Sequence, residues 1–177
     1  MGQPGACTYR ETLKNYPFLP PFRGVGAGEK TSMDRQEAIE FLIDHYENPR
    51  NNGPLEHADI SLTGGNPGCA DVITMHARFG KDGKLAAVNW EGEGCTISRA
   101  AASYVTEIVQ GMTAEEVEAM TFEDLIEQLG RELVMTRPIC ATLALGTLKK
   151  GVHEFDMHKR ADEAHYPPTQ SDGSANA

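Results

Sequence analysis

The sequence is poor in basic residues and has no long apolar run. Its 177 residues include 16 Lys and Arg against 26 Asp and Glu, so the formal net charge is −10 at pH 7. Because phosphate groups are bound by clustered Lys and Arg, this balance argues against a nucleic-acid partner. No stretch approaches the roughly 20 apolar residues of a membrane helix, so we expect no membrane partner. The first residues lack an apolar segment behind a basic start, so we expect a cytoplasmic location.

Cysteine is also scarce, and the four that occur, Cys7, Cys69, Cys95 and Cys140, are far apart. Their spacing excludes the short Cys-x-x-Cys pairs of zinc modules. Nothing marks the chain as secreted, so a disulfide framework is disfavoured. Reduced thiols that bind metal or react are the better interpretation of the set, although a single buried cysteine is more often a small apolar residue.

The length suits one domain with its own core. Residues 1–32 are rich in Gly and Pro, which predicts a flexible N-terminal arm. Residues 33–158 alternate between helical and strand patterns and form the predicted domain. Residues 159–177 are polar and end in Ser, Gly and Asn, which predicts a disordered C-terminal tail.

The first half of the predicted domain contains one helix followed by strands. Asp34, with Glu37 three residues later, predicts a capped helix that ends before Pro49. Its predicted inner face consists of Ile39, Leu42, Ile43 and Tyr46. Alternation with a period of two predicts strands over 59–63, 72–79 and 85–90, and Gly80–Gly83 forms a hairpin turn between the last two.

The second half of the predicted domain is helical. A helix follows Gly94 and stops at Gly111, and short helices over 113–120 and 121–129 each begin at a Thr with an acid three residues later. The last helix begins near Pro138. The order of these elements predicts an α+β fold, in which a small antiparallel sheet of about three strands packs against helices.

Three cysteines lie where one predicted element gives way to the next. Cys69 precedes a strand, Cys95 precedes a helix, and Cys140 lies in the first turn of the last helix. A helix N-terminus favours thiolate over thiol, and thiolate is the form that binds metal or accepts sulfur. Asp71, two residues after Cys69, could supply a fourth ligand. The residues alone therefore indicate a metal site only weakly.

A resemblance to a known family strengthens this interpretation. Four segments, in family order, resemble the signature segments of the U-type iron-sulfur cluster assembly scaffolds IscU, SufU and NifU. They are Asp44–Asn51, Asn66–Asp71, Glu91–Ser98 and Arg137–Leu143. The resemblance spans about residues 34–152 and implies an IscU/SufU-like fold.

The resemblance also implies a function and a site. Cys69, Cys95 and Cys140 would be the cluster-building cysteines, with Asp71 as their carboxylate neighbour and Cys95 and Cys140 as candidates for accepting a persulfide. The protein would be a non-enzymatic scaffold, a monomer or small homo-oligomer. It would receive sulfur from a cysteine desulfurase, bind iron and pass a [2Fe-2S] cluster to recipient apo iron-sulfur proteins. Zinc could occupy the same ligands in the isolated protein. We expect the three sulfurs to converge at one exposed end of the domain.

The chain departs from the family pattern at several positions. Ala70 stands where the family has Gly, which predicts a slightly different loop shape. Ile139 replaces the His that IscU members carry before the third cysteine, while Arg137 and the Glu91–Cys95 segment are more like SufU. The spacing between Cys95 and Cys140, however, is that of uninserted IscU. The segment Leu133–Arg137 replaces the chaperone-binding segment of IscU, so we expect no such chaperone partner.

Two other functions remain open at the level of sequence. A zinc-dependent sulfurtransferase partner of a cysteine desulfurase would use one cysteine as a persulfide acceptor. The missing His before Cys140 favours it, and the missing insertion between Cys95 and Cys140 opposes it. A cysteine hydrolase would need a His base near a thiol, and His76 is the only His between Cys69 and Cys140. His45 and Tyr46 are interpreted as packing or capping groups. Arg137 could hold a persulfide or face solvent, and Cys7 is given no role.

Overall fold

The structure is a computed structural model that describes residues 33–165, with side chains up to residue 161. The predicted arm, 1–32, and the end of the predicted tail, 166–177, lie outside the described residues. The described elements are α1 (Arg35–Glu47), β1 (Ile60–Asn66), β2 (Asp71–Phe79), β3 (Leu85–Glu93), α2 (Thr96–Ile108), α3 (Ala114–Ala119), α4 (Phe122–Gln128), α5 (Arg131–Val134) and α6 (Pro138–His165). The predicted α+β class is confirmed.

The three strands form one antiparallel sheet in the order β1-β2-β3. Asn66 at the end of β1 pairs with Asp71 at the start of β2, so only four residues join these strands. The predicted turn joins β2 to β3, since the Gly83 N–H donates to the Gly80 carbonyl at 3.0 Å. The short β1-β2 connection places the segment that carries Cys69 at one end of the sheet.

The predicted helix starts agree with the structure. Asp34 and Glu37 form a capping box at the start of α1, and Thr113 and Glu116 form another at the start of α3. The predicted inner face of α1 is partly wrong. The buried side chains of this helix are Ala38, Phe41, Leu42 and His45. Ile43 is 45% exposed, because the apolar stripe is rotated toward α2 and includes His45.

The core lies between one face of the sheet and the helices α2 and α6. Helix α6 packs on β1 and β2, whereas α2 packs on β3 and also contacts α1. Trp90, Met75 and Ile73 of the sheet and Tyr104 and Leu145 of these helices are fully buried or nearly so. Burial of a large apolar side chain contributes roughly 1.5–3 kcal/mol, so these contacts hold β2, β3, α2 and α6 together.

Two features differ from the sequence prediction. Helix α6 continues to His165, so the boundary predicted at residue 158 lies inside a helix. An ion pair between Arg160 and Asp156, four residues apart on one face, supports this polar extension. Helix α5 was not predicted, since it has only four residues and begins after Gly130. Among the helices of the described part, none combines the length and the apolar character that a membrane crossing requires.

Candidate metal-binding site

Three of the four predicted ligands come together at one end of the sheet. The sulfurs of Cys69 and Cys140 and a carboxylate oxygen of Asp71 all lie within 4.8 Å of one another. The Cys140 Sγ is 3.3 Å from the Cys69 Sγ. These residues come from the β1-β2 connection, the start of β2 and the first turn of α6, so the fold joins positions that are distant in sequence.

The loop between Asn66 and Asp71 presents Cys69. The Cys69 N–H donates to the Asn66 carbonyl at 3.1 Å, which closes a turn. Ala70 has φ +56°, in the left-handed region that favours glycine. Ala70 therefore adopts a backbone conformation that glycine would adopt more easily, and it carries the associated strain.

Asp71 connects the loop to Cys95. Its side chain is buried, and its Oδ1 accepts a hydrogen bond from the Cys95 N–H at 2.8 Å. The Cys95 Sγ lies 3.9 Å from Asp71 Oδ2. A Cβ on Gly94 would lie 2.7 Å from Asp71 Oδ1, so the absence of a side chain there allows this close approach. Asp71 thus contacts Cys95 and also belongs to the cluster with Cys69 and Cys140.

The three thiols have different surroundings. Cys69 and Cys95 are half-buried, whereas Cys140 is only 1% exposed, so the expected exposure of all three is wrong for Cys140. Burial would raise the pKa of Cys95, but hydrogen bonds from the backbone and side chain of Ser98 outweigh it and lower that pKa. Burial, with hydrogen bonds to Asp71, Cys69 and Cys95, raises the pKa of Cys140 far above its ordinary value.

Arg137 stands at the exposed side of the site. A hydrogen bond to the Cys95 side chain, together with the nearby sulfur of Cys69, raises the pKa of the Arg137 guanidinium. A fixed positive charge next to a sulfur favours the thiolate form of that cysteine. Arg137 therefore complements negative charge at the half-buried end of the site.

Asn66 is a site residue that sequence reasoning missed. Its side chain is buried, and its Nδ2 donates a hydrogen bond to the Cys140 Sγ at 3.4 Å. The sequence contained one signal, because Asn directly before Pro and Gly at a strand end is typical of a side-chain-closed turn. The contact with Cys140 could not be read from the sequence, since the two residues are distant along the chain.

His45 and Tyr46 lie outside the ligand cluster. His45 is fully buried, its Nδ1 is 2.9 Å from the Ser103 Oγ, and burial together with Arg50 lowers the pKa of His45 to about 3. The Arg99 guanidinium lies over the Tyr46 ring, 4.8 Å from its centroid. Both residues pack, as predicted.

The donor set fits a soft metal ion. Thiolates with one carboxylate are ligands for zinc and for iron-sulfur clusters. Sulfurs bound at about 2.3 Å to a tetrahedral ion lie about 3.8 Å apart, so the 3.3 Å contact between Cys69 and Cys140 would need only a small side-chain rotation to accept an ion.

The match to known proteins agrees with this geometry. The family model for the NifU-like N terminal domain matches residues 38–162. The chain belongs to the NifU-like N-terminal domain family. It is 31% identical over 125 residues to the "Iron-sulfur cluster assembly scaffold protein IscU" of Escherichia coli K12, a match covering 69% of this chain and 96% of that protein. It is 33% identical over 114 residues to "Iron-sulfur cluster assembly scaffold protein IscU 1" of Archaeoglobus fulgidus, covering 64% of this chain and 73% of that protein.

Two solved structures share the fold of this chain. The crystal structure titled as a putative iron-sulfur cluster assembly scaffold protein for the SUF system, from Fervidobacterium islandicum AW-1, superposes with a TM-score of 0.57 at 26% identity. That match covers 64% of this chain and 94% of the other. An N-terminal NifU-like protein from Brucella abortus, at 16% identity and a TM-score of 0.58, supports the fold alone.

Proposed function

We propose that this member of the NifU-like family is a scaffold on which iron-sulfur clusters are assembled and from which they are transferred. The observation that carries the proposal is the convergence of the Cys69 and Cys140 sulfurs with the Asp71 carboxylate, with Cys95 next to that carboxylate. The names of the relatives support the same function. The cluster, [2Fe-2S] in this proposal, is cargo, and zinc would compete for the same four ligands.

The proposed partners are a cysteine desulfurase and recipient apo-proteins. Cys95 is the better placed of the two candidate sulfur acceptors, because it is half-buried and its pKa is lowered, whereas Cys140 is buried and its pKa is raised. The Cys95 thiolate would attack the outer sulfur of the desulfurase persulfide. The new S–S bond forms as the old one breaks, and the desulfurase cysteine leaves as a thiolate. A cytoplasmic location belongs to the proposal, because a reducing compartment keeps such thiols free.

A zinc-dependent sulfurtransferase is the second candidate. The observation that favours it is Arg137 next to Cys95, since a guanidinium can hold a persulfide sulfur that is passed on rather than built into a cluster. Ile139, which is 62% exposed, offers no ligand before Cys140, whereas a scaffold of the IscU type is expected to have His there.

Anaerobic reconstitution separates the two functions. The full chain would be incubated with iron, cysteine, a reductant and a cysteine desulfurase, and followed by visible absorption and by mass spectrometry. A cluster chromophore that is lost in Cys95→Ser and kept in Cys7→Ser supports the scaffold. Persulfide on the protein without a chromophore would instead select the sulfurtransferase.

Asp71 is proposed as the ligand at which a cluster leaves. A carboxylate is a harder donor than thiolate and exchanges more readily with an incoming thiol. Asp71→Ala should weaken zinc binding yet slow cluster transfer to an apo-ferredoxin. Asp71→Asn keeps an acceptor for the Cys95 N–H, so it separates loss of the ligand from loss of that hydrogen bond. Equal transfer rates in wild type and both variants would exclude this role.

A further inference from the structure

Asn66 contacts both cysteine-bearing segments of the Cys69–Cys140 pair. It is the last residue of β1 and is 8% exposed. Its Oδ1 accepts a hydrogen bond from the Gly68 N–H at 3.2 Å, and its carbonyl accepts one from the Cys69 N–H at 3.1 Å. Its Nδ2 donates to the Cys140 Sγ at 3.4 Å. One buried side chain therefore connects the loop of Cys69 with the start of α6.

The two side-chain contacts of Asn66 are chemically distinct. The bond from Gly68 needs only an oxygen acceptor, which Asp or Ser could also provide. The bond to Cys140 needs a donor at the end of the side chain, which an amide supplies and a carboxylate does not. A residue that served the turn alone would gain nothing from the amide nitrogen, whereas the structure directs that nitrogen at a sulfur.

An N–H donor changes the properties of a metal-bound sulfur. It withdraws electron density from the thiolate and fixes the direction of the sulfur lone pairs, and hydrogen bonds to sulfur are among the factors that set the properties of iron-sulfur centres. Because Cys140 is 1% exposed, water has little access to replace such a donor. The charge that a bound Cys140 thiolate carries would be compensated in part by Asn66.

We propose that Asn66 is a positioning residue of the metal and cluster site. It holds the Cys140 sulfur against Cys69 and supplies an N–H···S hydrogen bond to that sulfur when metal is bound. The inference rests on the proposed function, because it takes Cys140 as a ligand. Neither the turn nor the packing of β1 requires the hydrogen bond that the Asn66 amide donates to Cys140.

The test compares Asn66→Asp and Asn66→Ser with wild type. Asp keeps the size of the side chain and the acceptor for Gly68 but has no donor. Ser is uncharged and too short to reach Cys140. If the two variants change the metal site in the same way, the added charge of Asp is not the cause of the change. The matched control is Asn89→Asp. The Asn89 Nδ2 also donates hydrogen bonds, to the carbonyls of Gly53 and Pro54, but Asn89 pairs with His76, five residues along β2 from Asp71.

The probe is Co²⁺ bound to the reduced full chain, with zinc affinity measured by competition against a chromophoric chelator. Removal of the donor makes the sulfur richer in electrons, so both Asn66 variants should shift the sulfur-to-cobalt charge-transfer band to longer wavelength. Both should also bind zinc about 10- to 100-fold more weakly, the usual cost of losing a hydrogen-bond partner of a ligand. Asn89→Asp should match wild type in both measurements.

Two results would overturn the inference. Variants with a lower apo-protein melting temperature but an unchanged band position and zinc affinity would show that Asn66 is a turn residue only. A wild-type protein that shows no sulfur-to-cobalt band would overturn the proposed metal site, and the assignment of Asn66 with it. If wild type shows the sulfur-to-cobalt band and both Asn66 variants show it at the same wavelength, the assignment of Asn66 is wrong although the metal site is right.

Discussion

Ala70 shows how a single residue carries strain next to the site. Its φ of +56° places an L side chain in the left-handed region, beside the cysteine and the aspartate that the loop presents. The sequence indicated that this position differs from the family pattern. It could not show whether the alanine would adopt a left-handed backbone conformation or avoid it. In the structure Ala70 adopts the left-handed conformation, within a loop whose ends, Asn66 and Asp71, pair across β1 and β2.

Ala70→Gly should therefore stabilise the apo-protein. The left-handed conformation costs an alanine about 1–2 kcal/mol, and glycine removes this strain. Glycine also gives the unfolded chain more conformational freedom, which opposes folding, so the net gain in the free energy of unfolding should be about 1 kcal/mol. Urea unfolding followed by circular dichroism measures this gain as a higher midpoint at unchanged slope. The control is Ala86→Gly, at an exposed position of β3 without positive φ, which should lose roughly 0.5–1 kcal/mol. An Ala70→Gly protein with a lower urea midpoint than wild type would contradict the claim that Ala70 is strained.

The thiols of Cys95 and Cys140 should differ in reactivity with pH. The lowered pKa of Cys95 contributes stability that is present above the ordinary thiol pKa and is lost as pH falls through the folded value. The raised pKa of Cys140 contributes stability that is present below the ordinary value and is lost as pH rises toward the folded one. As the pH rises, therefore, Cys95 should become thiolate at a lower pH than Cys140.

Pulsed alkylation of the reduced, metal-free protein, read by mass spectrometry, measures this order. Cys95 should be modified faster than Cys140, which is also buried. The cysteine outside the described residues, Cys7, provides an internal reference for reagent activity. Modification of Cys140 as fast as Cys95 would show that the two environments do not differ as described.

At the scale of elements, the sequence predicted the parts whose signals are local. Alternation and a Gly-rich turn identified β2 and β3, and side chains that accept N–H bonds from the first turn identified the starts of α1, α3 and α4. The end of α6 was missed because its last turns are polar, and a polar segment without an apolar stripe looks like a tail. The exposed positions 158–161 show why no core pattern marks this extension.

The last turns of α6 should be dispensable for stability. Residues 159–161 are the last whose side chains the structure describes, and all three are exposed. Removal of residues 159–177 should therefore shift the melting temperature by less than about 2 °C. Val152→Ala, at a fully buried position of the same helix, should lower the free energy of unfolding by about 2 kcal/mol. Calorimetry of both proteins measures the contrast. A truncated chain as unstable as Val152→Ala would show that the extension contributes to the core.

At the scale of the whole molecule, the fold brings thiols and one carboxylate together at one end of an already acidic protein. The net charge of −10 and the cluster of Cys69, Asp71 and Cys140 both favour a bound cation, since the ion replaces thiol protons and neutralises the carboxylate. The sequence indicated these ligands by family resemblance. It could not show that Cys140 would be buried or that Asp71 would accept a hydrogen bond from the Cys95 N–H, because both depend on the packing of α2 and α6.

Metal should therefore stabilise the entire domain. A ligand present at 1,000 times its Kd adds about 4 kcal/mol to the free energy of unfolding, so a chelator should lower the melting temperature of the zinc-loaded protein by several degrees. Cys95→Ser should remove most of this metal dependence, whereas Cys7→Ser should keep it. Identical melting curves with and without chelator would count against a metal site of any kind.

X-ray absorption at the zinc edge tests most directly whether Cys69, Asp71, Cys95 and Cys140 form one site. The zinc-loaded wild-type protein should show three sulfur ligands at about 2.3 Å and one oxygen ligand at about 2.0–2.2 Å. Asp71→Ala should lose the protein oxygen but keep the sulfurs, and Cys95→Ser should lose one sulfur. A wild-type spectrum with only nitrogen or oxygen neighbours, or one unchanged in both variants, would contradict the site.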